Sequence, residues 1–315
     1  MKNLSDIKKI AVFGAGVMGP GIAQTYAMGG YEVSICDRSK DALEKAKVVL
    51  RQNLEIFKGE GVLSEVEIQD ILGRVHFTTD VEETARNADF IQESITENKD
   101  VKTEFFRHID AFISDDTILA SNTSYQNIFE IVPKHRLKQT VIAHWYGPPQ
   151  IIPLVDVVKA EEAPEALAKV TVELLEKCGK ITVYMKKFVP GYIVNVFQRY
   201  LMDAVFYLLD NDYCTPEEID IAVKSSLMPR GIVNGICQRQ DFAGIDITAS
   251  RYTDSEMPKT LAKLVEAGHL GVKTGKGFFD YSGLDREELN AKRERQLFEA
   301  FRLAKKLMDD PLIGK

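Results

Sequence analysis

The chain has 315 residues, 45% of them hydrophobic, enough to bury a full core and more comfortable as two domains than as one or three. A net charge of −7 and the lack of a long basic stripe argue against broad nucleic-acid binding; Lys134-His135-Arg136 reads as a solvated turn. Met1-Lys2-Asn3-Leu4-Ser5-Asp6 carries no apolar signal core and no later run approaches about eighteen apolar residues, so no membrane partner and a cytoplasmic location are expected.

The first element is Ile10-Ala11-Val12-Phe13, an apolar run that suits a buried parallel strand. It ends in Gly14, Gly16 and Gly19, with the spacing G-x-G-x-x-G, before a helical pattern opens. Gly14 permits the sharp turn, Gly16 lets backbone approach a pyrophosphate, and Gly19 lets the helix pack close to the sheet. Val17 and Met18 sit in the same loop, and the helix's unpaired N–H groups and positive dipole end would face phosphates. Glycines also serve ordinary turns, so context decides. A second run, Tyr31 to Cys36, ends in Asp37, close to the offset of about twenty residues at which an acid meets the adenosine ribose. Asp37 would repel a 2′-phosphate, which favours NAD over NADP. Arg38 could accept that phosphate, pack on the adenine, or lie in solvent.

Beyond Asp37 come two helical patterns, about Asp41 to Phe57 and Ser64 to Leu72, the second opened by Ser64 with Glu67 at the capping-box spacing. They read as a helical hairpin inserted after the second strand. Their Lys45, Lys47, Arg51 and Lys58 suit either the wet face of an amphipathic helix or an anionic group of a substrate. Strand signals recur at Arg74 to Phe77, Ala88 to Gln92, Thr117 to Ala120, Gln139 to Ala143, Ile152 to Val158 and Lys180 to Met185, with helices between. That alternation predicts an α/β fold with a Rossmann-type, doubly wound, mostly parallel sheet over residues 1–187. From Pro190 the strand signals stop, and residues 188–315 read as an all-helical domain. There, Val194, Phe197, Leu201, Val205 and Leu208 form an apolar stripe suited to a domain spine or the seam of a homodimer. Leu284 to Met308 reads as a surface helix.

Cys36, Cys178, Cys214 and Cys237 are far apart and read as reduced, mostly buried thiols; no spacing suggests a metal. Three stretches carry candidate chemistry. Ser121-Asn122-Thr123-Ser124 follows a strand, at the carboxyl edge where such sheets bind ligands, although Ser and Asn also make plain turns. His144 ends the run Val141-Ile142-Ala143 and is the preferred acid/base candidate over His76, His108, His135 and His269. Asp156 lies in an apolar run, where a carboxylate is costly unless it is paired or exposed at an edge. Paired with His144, it would accept from one ring nitrogen and leave the other free to exchange a proton. Pro190-Gly191-Tyr192-Ile193-Val194-Asn195 puts Asn195 one turn into a helix, as a surface amide or facing a cleft.

Taken in order, the glycine loop, Asp37, Ser-Asn-Thr-Ser, His144, Asp156, Pro-Gly-Tyr-Ile-Val-Asn and Lys273-Thr274-Gly275-Lys276-Gly277-Phe278 resemble the L-3-hydroxyacyl-CoA dehydrogenase family over about residues 7 to 282. The resemblance implies that His144 is the general base, that Asp156 takes the place of its partner carboxylate, and that Ser124 and Asn195 position substrate. It further implies that Glu97 and Lys102 line the cofactor and substrate cleft, beside Asn122. This chain departs from the acyl-CoA pattern by carrying Asp156 for a glutamate and Gly147 where an Asn-Pro is usual, and in the loop after Pro229. His144-Trp145 followed by Pro148-Pro149 is more similar to relatives acting on small free hydroxy acids or on hydroxymethyl and formyl pyridine acids. The expected activity is therefore NAD-dependent oxidation of a secondary alcohol β to a carbonyl or carboxyl group. The substrate is a CoA thioester or, alternatively, a free hydroxy acid. A non-catalytic NAD-binding regulator is the rival of another class, and a triphosphate loop fails for want of Lys-Ser/Thr after Gly19.

Overall fold

The apolar runs of the first half become strands. In a computed structural model describing residues 2–253, 255–310 and 312, these are β1 (Lys9–Phe13), β2 (Glu32–Cys36), β3 (Val75–Thr78), β4 (Phe90–Glu93), β5 (Ile118–Ser121), β6 (Thr140–Trp145), β7 (Leu154–Lys159) and β8 (Ile181–Tyr184). Their order across the sheet is β3-β2-β1-β4-β5-β6-β7-β8. The first six run parallel; β7 pairs antiparallel with β6, and β8 runs parallel to β7. Because β1 has β2 on one side and β4 on the other, the chain's winding reverses there, and the crevice opens beyond the carboxyl ends of β1 and β4. This is the Rossmann-type architecture expected.

Alternating side chains of β1 feed two cores: Ile10 and Val12 pack on one face, Ala11 and Phe13 on the other. Helices therefore cover both faces. α1 (Gly19–Met28) is buried along nearly its whole length, and α2 (Lys40–Gly59) lies against it through Leu43, Ala46, Leu50 and Leu54 at helical spacing. α3 (Glu65–Gly73) starts at the capping box of Ser64 and Glu67, as the spacing predicts. α4 (Val81–Asn87) and α5 (Lys99–Ile109) supply Ala85, Phe106 and Ile109 to the second face, while α6 (Glu165–Lys177) adds Leu167, Leu174 and Leu175 to the first.

The chain divides into two compact units between Arg199 and Tyr200, inside α7 (Tyr192–Asp210). The helix expected to open the second domain thus gives its first turns to the first unit, because Tyr192 is buried there at the end of β5 and β6. The second unit holds α8 (Pro216–Ala222), a π-helical turn over 223–227, α9 (Met228–Asn234), α10 (Cys237–Ala243), α11 (Ile245–Ala249), α12 (Lys259–Glu266) and α13 (Arg286–Asp309). Its motif at 273–278 is structural. Buried Asp241 accepts hydrogen bonds from the Phe278 and Phe279 amides and the Tyr281 hydroxyl, and a Cβ at Gly271 or Gly277 would strike Asp241. Of the four cysteines, all free, Cys36 alone is buried and Cys237 is exposed, against the expectation of mostly buried thiols. Cys237 opens α10, a short helix in a unit with few fully buried side chains. Among the described residues no helix is long and apolar enough to cross a membrane.

Candidate active site

A cleft of about 440 Å³ lies at the crevice, with Gly16, Val17 and Met18 on one side and Ser124, His144 and Asn195 on the other. The first wall is backbone. Gly14 has φ +107°, donates its N–H to the Cys36 carbonyl at 2.8 Å, and leaves no room for a Cβ against the Ser94 carbonyl. Gly19 likewise lies against the Gly14 carbonyl, so the helix starts tight on the strand. Gly16 is different: it is exposed, and a Cβ there would meet nothing within 4 Å among the described residues. The protein itself does not require that glycine; a ligand pressed against the loop would. Val17 is 95% exposed beside it, and Met18 caps α1. Asp37, half-buried at the end of β2, accepts the Ala15 amide on Oδ2 and the Ser39 amide on Oδ1, each at 2.9 Å. It shapes the loop and still has lone pairs for ribose hydroxyls. Arg38 is exposed.

The second wall is made of side chains. His144 on β6 and Asp156 on β7 are direct cross-strand partners, 2% and 0% exposed, so the antiparallel register itself brings the pair together. Asp156 is thus not at an exposed edge, since β8 flanks β7. His144 Nδ1 lies 3.4 Å from Asp156 Oδ2, and Nε2 lies 3.2 Å from Ser124 Oγ. A carboxylate facing Nδ1 favours the tautomer protonated there, which leaves the Nε2 lone pair at the cleft. Tyr146 donates its hydroxyl to the same Asp156 oxygen at 2.6 Å, while Asp156 Oδ1 is buried without a partner among the described residues. Burial and the facing Asp156 both push the Tyr146 phenol well above its ordinary pKa.

Two further devices hold the imidazole. Tyr192 stacks on it with centroids 4.3 Å apart at 26°, and donates its hydroxyl to the Thr123 carbonyl at 2.6 Å. Tyr192 has φ +49°, a left-handed conformation costly for an aromatic residue and sustained here by burial and that bond. The Gly191 amide donates to the Ser124 carbonyl at 2.9 Å, so the Pro-Gly-Tyr turn pins the Ser124 loop to α7. Glu97 grips the same loop from below: its Oε1 accepts the Thr123 hydroxyl at 2.6 Å and the Ser124 and Tyr125 amides at 2.9 Å. Burial disfavours the Glu97 charge, but the Thr123 hydroxyl, the Tyr125 amide and Lys102 outweigh it and hold the pKa below its ordinary value.

Lys102 does not line the cleft as expected. Its ammonium is fully buried between Glu93 at 2.6 Å and Glu97 at 3.3 Å, because an amphipathic helix one strand away turns it inward onto two carboxylates. It reaches the site only through Glu97. Asn122 accepts the Trp145 amide at 2.7 Å and donates to Ser94 at 3.3 Å, tying the ends of β4, β5 and β6 together at the cleft floor. Asn195 lines the cleft from the first turn of α7. The structure therefore gathers Ser124, His144, Asp156 and Asn195. Sequence reasoning passed over Tyr146, Tyr192 and Glu93. A two-residue step along a strand from His144 could have flagged Tyr146 as sharing its face.

Residues 9–188 match the family model for the 3-hydroxyacyl-CoA dehydrogenase NAD binding domain, and residues 191–281 match that for the family's C-terminal domain. The chain belongs to the 3-hydroxyacyl-CoA dehydrogenase family. Within it, a probable 3-hydroxybutyryl-CoA dehydrogenase of Bacillus subtilis is 34% identical over 287 residues, covering 88% of this chain and 98% of its own. A 5-formyl-3-hydroxy-2-methylpyridine 4-carboxylate 5-dehydrogenase of Mesorhizobium japonicum is 31% identical over 309 residues, covering 94% and 98%. The solved structure of a 3-hydroxyacyl-CoA dehydrogenase from Archaeoglobus fulgidus superposes with a TM-score of 0.76 at 25% identity, covering 94% and 98%. The protein is an NAD-dependent dehydrogenase acting on hydroxyl groups. Its own residues fit that cofactor: the open face of Gly16 and the Asp37 carboxylate are where a pyrophosphate and a ribose would need them.

Proposed function

We propose that this dehydrogenase oxidises the β-hydroxyl of a 3-hydroxyacyl-CoA thioester, with His144 as general base. The observation that carries the reading is the two-sided engagement of one buried imidazole, Nδ1 toward Asp156 and Nε2 toward Ser124 at the cleft. In oxidation Nε2 takes the substrate's hydroxyl proton; in reduction the imidazolium returns it to the developing alkoxide. Asp156 is fully buried, so its charge acts on the imidazolium with little water between them. Ser124 donates to the reacting oxygen, and Asn195 to the neighbouring carbonyl, where charge grows during the reaction. NAD, when bound, supplies the hydride acceptor. Gly14, Gly16, Val17, Met18, Gly19 and Asp37 hold it, with Arg38 at the adenine end and Asn122 and Glu97 framing the junction with substrate. Lys102 serves by compensating Glu97.

A second reading keeps the chemistry and changes the substrate to a small free hydroxy acid or a hydroxymethyl or formyl aromatic acid. It is supported by the coverage of the pyridine-acid relative, which exceeds that of the hydroxybutyryl-CoA relative. A panel of 3-hydroxy acids beside their CoA thioesters, followed by NADH absorbance, separates the two. Turnover on thioesters alone supports the first; turnover on free acids alone replaces it with the second. No hydride transfer with any of them would favour a regulatory NAD-binding protein. His144→Ala is expected to lower turnover by about 10²- to 10⁴-fold with NAD affinity kept; undiminished turnover removes His144 from the mechanism. The reading includes a cytoplasmic homodimer, supported by exposed Phe197, Leu201 and Phe206 on α7. A monomer in light scattering at working concentration would contradict the dimer, and recovery outside the soluble fraction the location.

A further inference from the structure

Asp156 reaches His144 poorly. Its Oδ2 lies 3.4 Å from Nδ1, well beyond the roughly 2.7–2.9 Å of a tight charge-assisted bond. The same oxygen receives the Tyr146 hydroxyl at 2.6 Å, inside the roughly 2.5–2.7 Å of a tight O–H···O⁻ bond. The carboxylate's other oxygen is buried and has no hydrogen-bond partner among the described residues. The carboxylate is thus bound closely to the tyrosine and loosely to the histidine it is paired with. Tyr146 also touches the imidazole directly, edge-on, with centroids 4.6 Å apart at 73°. It is half-buried and lines the cleft.

We propose that Tyr146 is a positioning residue for proton transfer: its hydroxyl draws off part of the Asp156 charge and so sets the pH at which His144 becomes a base. The inference rests on His144 being the general base. Asp156 is one methylene shorter than a glutamate, and the tyrosine hydroxyl bonds the very oxygen that faces Nδ1. Were Oδ2 addressed by His144 alone, its undivided charge would stabilise the imidazolium and keep the proton on Nε2 to higher pH. Sharing it with a neutral phenol weakens that hold. The phenol stays a donor throughout the working range, since burial and Asp156 raise its pKa well above the ordinary value.

Several groups surround the imidazole. Asp156 faces it from β7, Tyr146 from the end of β6 and Tyr192 from α7. Farther out, Glu93 and Glu97 share the Lys102 ammonium, and Tyr125 stands near Tyr146. Replacing the Tyr146 hydroxyl removes none of the other groups. The variant Tyr146→Phe therefore isolates the hydroxyl's effect on the pair.

In Tyr146→Phe, the acid limb of the kcat/KM profile for oxidation is expected to move up by about one pH unit, with NAD affinity unchanged. A role in packing alone would lower activity at all pH values without moving the limb. The second measurement needs no turnover: NMR titration of the ring-labelled histidines in the cofactor-free protein, with the His144 signal assigned by its loss in His144→Ala. An upward shift of that titration in folded Tyr146→Phe supports the proposal, and an unchanged titration overturns it. The two readings fail separately. Full turnover in His144→Ala removes the general base, whereas a still His144 titration in Tyr146→Phe removes only the tyrosine's role.

Discussion

The two walls of the cleft are built from different materials. The wall proposed for the cofactor is backbone: three glycines, one helix start and the amides that Asp37 holds, all within residues 14–39. The wall proposed for the substrate is side chain: Glu97, Ser124, His144, Asp156 and Tyr192 come from five separate stretches and meet only because the sheet brings them together. A surface made of backbone asks mainly that side chains be absent. A surface that moves a proton must bury charge, and buried charge must be compensated. Hence the second wall stands on a layer the first lacks. Lys102 sits between two carboxylates, Glu93 is fully buried and also holds Ser121 and the Ile95 amide, and Tyr192 is forced to a positive φ.

The sharpest way to break that contrast is to remove the compensation. Lys102→Met leaves Glu93 buried with no cation, and is expected to cost about 3–5 kcal/mol of stability in denaturant unfolding. Turnover should fall with it, because Glu97 loses one of the groups that keep it charged while it grips the Ser124 loop. Stability equal to the wild type would mean that the second wall does not depend on its buried ion pairs.

The glycines allow a finer cut within the first wall. Gly14→Ala puts a Cβ into the Ser94 carbonyl at a positive φ, and should cost roughly 1–3 kcal/mol together with NAD binding. Gly16→Ala meets open space, so unfolding should be unchanged while NAD affinity falls about tenfold, read by titration calorimetry. A Gly16→Ala protein that binds NAD normally would place the pyrophosphate elsewhere.

The same division decides what could be read in the sequence. β1, the three glycines, Asp37 and the Ser64 capping box are local signals, each complete within a few residues, and the fold of the first unit follows from the apolar runs in order. The run from Pro153 to Val158 reads as a strand but carries no sign of its direction, and the antiparallel pairing with β6 is what places Asp156 opposite His144. Both residues were legible as chemistry; their register was not. Tyr146 and Tyr192 look like any strand or helix aromatic until their hydroxyls find Asp156 and Thr123. Lys102 was legible as charge but not as buried charge. In the second unit, α9, α10 and α11 escape periodicity because they are only five to seven residues long and lie among Pro229, Gly231, Gly235 and Gly244.

The smallest test concerns the loop over 147–152 that follows His144. Lys180 lies beneath it, donating to the Pro149 and Ile152 carbonyls with its ammonium 5.0 Å from the Trp145 ring centroid. Burial pushes the Lys180 pKa down to about 8. The sign follows from linkage: the unfolded chain binds this proton more tightly, so the charged form penalises the folded state below pH 8, and the penalty is relieved as pH rises toward the unfolded value. Lys180→Met loses the carbonyl bonds at a cost of about 1 kcal/mol, partly offset by removing a desolvated charge. It also loses that pH dependence. The wild type's lead in thermal stability over the variant should therefore widen between pH 8 and pH 10, whereas Gly16→Ala should track the wild type throughout. A constant gap for Lys180→Met across that range would mean that charge does not shape this edge of the second wall, and that the layer of buried ions stops at Lys102.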